Sequence, residues 1–242
     1  MRILGIETAT ILCSAAIVAD GNVLCEHSAD SPRVHSEKLV SIIDNCFQTA
    51  KCGLGSLDGI AVSIGPGSFT GLRIGLSVAK GLSYATGISL VAVPTLKGLA
   101  RYGMSMHFAE VPNYILSLLD ARRDEVYMAL YSSKGSIIEE LVLSSAMSVK
   151  HLTAHLPRNS KILILGDGAE KFRQYLTKAD NYDNSSYIIL PDVINRCSAA
   201  AIALLGENII SEHGGEDIAS MEPLYVKEFY TLVRTQHQKE ST

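Results

Sequence analysis

Two features of this chain have the residue types and spacing that chemistry uses. The first is a pair of acidic side chains closing apolar runs: Glu7 ends RILGIE and Asp120 ends NYILSLLD. The two acids precede the Asp20-Gly21 and Lys134-Gly135 turns by similar spacings. The second is IGPGSFTGLRIG, residues 64–75, a glycine-rich turn that opens a helix. Such turns can aim backbone N–H groups at an anion. Here the phosphate-loop spacing G-x-x-x-x-G-K-[ST] is absent, and the dinucleotide pattern G-x-G-x-x-G fails at Thr70. Gly65-Pro66-Gly67 predicts instead a type II turn, with proline setting φ and Gly67 taking the positive φ. Ser68 or Thr70 then caps the helix. Arg73 falls in the first helical turn, where a cation opposes the macrodipole by a few tenths to about 1 kcal/mol. A bound phosphate, a partner's carboxylate, or an internal acid such as Glu7, Glu37 or Asp58 would each offset that.

The other reactive side chains are sparse. His151 and His155 stand four apart in HLTAH, which puts them on one face of an α-helix. Two histidines are half a zinc site, and no acid lies between them, so the expectation is a solvated face. His35 opens a helix beside Ser36 and Glu37, as a contact or as local packing. The five cysteines are scattered without a C-x-x-C and read as reduced thiols. No catalytic residue and no metal ligand is assigned.

The helix after the glycine turn carries Gly71, Gly75, Ala79 and Ser83 at every fourth position, flanked by Leu72, Leu76 and Leu82. Glycine inside a helix costs about 1 kcal/mol against alanine. The stripe therefore predicts that another backbone comes close, from within the chain or from a second subunit. An amphipathic helix over residues 34–51 adds Leu39, Ile43, Cys46 and Phe47 at helical spacing. These eleven residues form the expected partner interface, with Arg73 as an anion or carboxylate contact. On that reading, Gly75→Leu or Ala79→Arg weakens partner binding while the monomer stays folded.

The elements that position these residues repeat. Strand, hairpin, strand, helix, strand, helix can be read from residue 2 and again from residue 113, with Asp20-Gly21 and Lys134-Gly135 as the two hairpin turns. The result is an α/β protein built as a duplicated two-lobe unit of the actin and Hsp70 type: residues 1–109, residues 110–233 with the last long helix packed back on the first lobe, and a frayed tail at 234–242. The 242 residues are 47% apolar and 19% charged, with a net charge of −4 and no basic run. That balance excludes a chain that grips nucleic acid by itself. No apolar run is long enough to span a membrane, and a cytoplasmic protein is expected.

MRILGIETAT, SPRVHSEKL, IGPGSFTGLRIG, LLDARRDEVYMALY and EPLYVK together resemble the TsaB family, also called YeaZ. The resemblance implies a paralogue of TsaD, the enzyme that places threonylcarbamoyl on N6 of adenosine 37 in tRNAs reading ANN codons. Actin-like kinases carry D-x-G-x-T in the first hairpin; IETAT has Glu7 and Ala9 in place of the aspartate and glycine. The paired metal-binding histidines of TsaD fall on Thr95 and Leu99, neither an imidazole. The family thus implies an accessory subunit that dimerises with TsaD or with itself, works with the TsaE ATPase, and meets tRNA only indirectly. It has no cofactor of its own, although a nucleotide at the subunit boundary fits the fold. The alternatives are an ATP-dependent transferase of the same fold and a metallopeptidase.

Overall fold

The computed structural model describes residues 1–30, 34–106, 108, 112–134, 137–178, 186–190 and 196–227. The first half runs β1 (Arg2–Glu7), β2 (Cys13–Ala19), β3 (Asn22–Ala29), α1 (Val34–Ala50), β4 (Gly59–Gly65), α2 (Phe69–Thr86), β5 (Ser89–Pro94) and α3 (Thr95–Met104). The second runs β6 (Tyr114–Asp120), β7 (Glu125–Lys134), β8 (Ile137–Ser148), a 3-10 stretch (Val149–His155), β9 (Ile162–Leu165), α4 (Ala169–Lys178), β10 (Tyr187–Ile189) and α5 (Ala199–His213).

Each half makes one five-stranded sheet, in the orders β3-β2-β1-β4-β5 and β10-β9-β6-β7-β8. Read from the other edge, the second order equals the first, strand for strand. In each sheet the first strand pairs antiparallel with the second and parallel with the fourth. This is the duplicated actin-like α/β fold. The first hairpin turns on Asp20 and Gly21, both at positive φ (49° and 75°), the pair a two-residue I′ turn requires. Gly135 of the matching turn, the expected lobe boundary at 109–110 and the tail at 234–242 lie outside the described residues.

β4 (GIAVSIG) is buried on both faces because helices cover both. Ile60 and Val62 pack among Leu39, Ile43, Leu76 and Ala79 of α1 and α2. Ala61 packs with Ile202 and Ala203 of α5 on the other side. Packing does not follow chain order. α3 buries Leu96, Leu99 and Ala100 against Ile115, Leu119 and Leu163 of the second sheet, while α5 returns to cover the first. The two helices meet between the lobes, where a Cβ on Gly98 would stand 2.4 Å from Ile202 Cδ1.

One expected element differs. HLTAH lies in the 3-10 stretch, not an α-helix. At three residues per turn, residues four apart no longer share a face, and both His151 and His155 are exposed.

Candidate partner interface

The end of β1 and the glycine turn are built against each other. Glu7 is fully buried, and its Oε1 accepts the Ala9 N–H at 2.6 Å. Burial lifts its pKa from 4.5 to about 7, although the Ala9 amide and the Ser63 hydroxyl ease the charge. The Ala9 carbonyl in turn accepts the Ser68 N–H at 2.6 Å. A Cβ on Gly67 would stand 2.4 Å from that same carbonyl, so only glycine fits there.

The turn is not the type II turn expected. The Gly65-Pro66 peptide is cis, and the positive φ belongs to Gly65, at 117°. A Cβ on Gly65 would sit 2.7 Å from the Leu224 carbonyl oxygen, a contact from far along the chain that local turn rules do not include. Ser68 is the N-cap, its side chain accepting from the Gly71 N–H at 3.2 Å. The Gly65 N–H donates to Thr95 Oγ1 at 3.0 Å. Three of the amides that would cradle an anion are therefore engaged inside the protein. Thr95 braces this turn and Leu99 is fully buried in the second lobe's core.

Arg73 is exposed, and aromatic groups answer its charge. Its guanidinium carbon lies 3.7 Å from the Phe69 ring centroid, and its Nε–H donates to the Tyr225 hydroxyl at 3.0 Å. Glu7 is enclosed by its own loop, and Asp58 accepts the Arg2 N–H at 2.6 Å.

The small-residue stripe meets its backbone within the chain. A Cβ on Gly71 would stand 2.1 Å from the Thr8 carbonyl oxygen, and one on Gly75 would stand 2.2 Å from Thr8 Oγ1. Ala79 and Ser83 are fully buried, as are Leu39, Ile43, Cys46, Leu72 and Leu76 to within a few per cent. These residues, with Gly71 and Gly75, correct the expected interface. They form the seam between α1, α2 and the first sheet, buried within the chain. The reason is general: an amphipathic helix turns its apolar side to its own sheet first. Phe47 and Leu82 of the expected set stay half-buried at the rim.

The outward side of the same two helices carries other residues. On α1, Val40 (69% exposed), Asp44 and Phe47 follow one stripe. On α2, Ser77, Gly81 and Tyr84 (87% exposed) follow another, and a Cβ on Gly81 would meet nothing within 4 Å. α1 and α2 touch each other, and each stripe faces away from the first sheet. The sequence signal for these stripes was present, as two large apolar residues, Val40 and Tyr84, interrupting polar faces.

Among the described residues, no three His, Cys, Asp or Glu side chains gather as a metal would require. His35 lines the groove between the lobes with Ser68, Asp120 and Tyr127. An adjoining cavity of about 280 Å³ shares Thr10 and Leu119 with that groove and is also walled by Leu12 from the first lobe and Gly166 from the second.

The family model for TsaD, tRNA N6-adenosine threonylcarbamoyltransferase, matches residues 26–219. The tRNA threonylcarbamoyladenosine biosynthesis protein TsaB of Haemophilus influenzae is 26% identical over 239 residues, 94% of each chain. The tRNA N6-adenosine threonylcarbamoyltransferase of Caldicellulosiruptor bescii is 37% identical over 114 residues, 40% of this chain and 34% of its own. The solved structure of YeaZ from Pseudomonas aeruginosa superposes with a TM-score of 0.76 at 23% identity, over 93% of this chain and 99% of that one. The fold and the turn thus define a duplicated actin-like protein whose glycine loop is closed on itself. The chain belongs to the TsaD family, in its TsaB (YeaZ) branch.

Proposed function

We propose that this chain is the accessory subunit of the machinery that forms threonylcarbamoyladenosine in tRNA, and that it acts by docking on the catalytic subunit TsaD. The observation that carries the docking is the exposed α1–α2 surface, where Val40 and Tyr84 stand largely free of their own lobe. An exposed aromatic and an exposed valine, one on each of two touching helices, are suitable anchors for a helical partner surface. The relatedness of the chain to both TsaB and TsaD proteins supports a matching surface on the partner, and makes a homodimer through the same helices the competing assembly. TsaE then joins the complex, and tRNA is met through TsaD.

The chain carries no catalytic group in this reading. Glu7 is enclosed rather than presented, and Ala9 is buried with its carbonyl accepting the Ser68 N–H. Any nucleotide sits at the subunit boundary. No described helix is long and apolar enough to cross a membrane, and work on tRNA fits a cytoplasmic setting.

Reconstituting adenosine modification with and without this chain tests the proposal. TsaD should stall alone and recover when the chain is added; full-speed modification by TsaD unaided overturns it. A second reading, a self-sufficient ATP-dependent transferase, is favoured only by the cavity between the lobes. Calorimetry with Mg-ATP on the isolated chain decides it, since micromolar binding with turnover would replace the accessory role.

A further inference from the structure

After α5, residues 214–227 run across the molecule as a strap. Along β5, the Glu216 N–H donates to the Leu90 carbonyl at 2.9 Å, and its Oε1 accepts the Ala92 N–H at 3.1 Å. Met221 is buried in the core shared by α1 and α2. The Leu224 N–H donates to the Ile64 carbonyl at 2.7 Å. The Tyr225 ring lies 5.2 Å from that of Phe69, at the start of α2. Every one of these contacts is with the first lobe.

Two residues on, the strap is in the second lobe. Lys227 Nζ donates to the Ala121 carbonyl at 2.7 Å and to Glu125 Oε2 at 2.5 Å, and stands 5.7 Å from the Tyr127 ring centroid. The turn that receives it is fixed from several sides. Lys171 binds both Asp120 and the Glu125 carbonyl, the Arg122 N–H donates to Asp120 Oδ1, and the Val149 N–H donates to the Asp124 carbonyl. Arg122 and Arg123 are held at positive φ (73° and 52°), which L-residues keep only where the surroundings dictate it. Phe69, Ala121 and Tyr127, touched by the strap, also line the interlobe groove, a space of about 550 Å³.

We propose that residues 221–227 are a clasp that holds the two lobes at one angle, anchored on the first lobe and releasable at Lys227. The asymmetry follows from burial. The first-lobe end rests on a buried methionine and on backbone hydrogen bonds. The second-lobe end is an ion pair with side chains 29% and 40% exposed, which holds weakly and is screened by salt. Because Tyr225 sits on Phe69 and Arg73, release would also be felt at α2. That last consequence rests on the partner reading; the clasp does not.

Hydrogen exchange on the full chain tests it, using Lys227→Met, which keeps the stem and removes the ammonium, and Glu125→Gln, which removes the ion pair and leaves the Ala121 contact. Exchange over residues 118–127 should rise roughly threefold or more in Lys227→Met, by less in Glu125→Gln, and in the double variant no further than in Lys227→Met. Residues 13–19 and 162–178 should stay unchanged. About 0.5 M salt should move the unaltered chain the same way. Unchanged exchange at 118–127 overturns the clasp, and so does an even rise across both lobes, which would be a loss of global stability. If exchange responds while TsaD affinity does not, the coupling to α2 fails and the clasp stands.

Discussion

The two sheets have the same strand order, yet what covers them differs. Between its third and fourth strands the first lobe lays the 17-residue α1, where the second has a seven-residue 3-10 stretch. After the fourth strand the first lobe has the 18-residue α2, the second the 10-residue α4. The acids that close the first strands differ as sharply. Burial drives Glu7 up to about 7, so at neutral pH it is near half-protonated. Burial also works against the charge on Asp120, but the Lys171 ammonium and the Arg122 amide outweigh it and hold that carboxyl below the ordinary range. A duplicated frame therefore does not duplicate function. Among the described residues, the first lobe lays the longer helices on its sheet between strands, and the second holds its strand-end acid ionised and anchored by Lys171.

The largest test of this contrast is Gly75→Leu. Its side chain would enter the space of Thr8 beneath α2, so the first lobe should lose about 3 kcal/mol, seen as a lower urea midpoint. This replaces the expectation that such a variant stays folded. A variant of unchanged stability would mean that the α2–β1 seam is looser than described.

Next is Glu7→Gln. With its pKa raised from 4.5 to about 7, Glu7 favours the fold fully below pH 4.5, and that contribution fades as pH climbs to 7. The span corresponds to about 3 kcal/mol, and glutamine should flatten this part of the stability profile. A slope that survives the substitution assigns it to another group.

Tyr84→Ala should leave the melting temperature in place and weaken TsaD binding by about 2 kcal/mol, roughly thirtyfold, measured by calorimetry. Equal affinity for both proteins would move the interface away from α1 and α2. The smallest effect is expected at Asp120→Asn. Its lowered pKa means that the ionised form supports the fold above the ordinary carboxylate range and loses that support as pH falls. The variant should therefore differ from the unaltered chain at neutral pH and converge with it in acid.

Much of the frame was legible without coordinates. Hydrophobic periodicity placed the strands ending at Glu7 and Asp120, the hairpin at Asp20-Gly21, and both long helices of the first lobe. The glycine stripe of α2 correctly announced a close backbone approach. What it could not announce was whose backbone, because a helix pattern reports an apolar side without naming what covers it. The answer, Thr8, lies more than sixty residues away. The turn failed for a related reason: Gly65 is shaped by the Leu224 carbonyl, which no local rule of turn types includes.

The order of elements along the chain, its repetition and a cap at Ser68 or Thr70 follow from residue types and spacings, and the departures at Ala9, Thr95 and Leu99 follow from comparing this sequence with related motifs. The inward turn of Leu39, Gly75 and Ala79, the outward stand of Val40 and Tyr84, and the crossing of Lys227 to the second lobe were decided only when the chain closed. Each depends on which surfaces meet across long stretches of sequence. Burial and long-range electrostatics are properties of that meeting, not of any segment read alone.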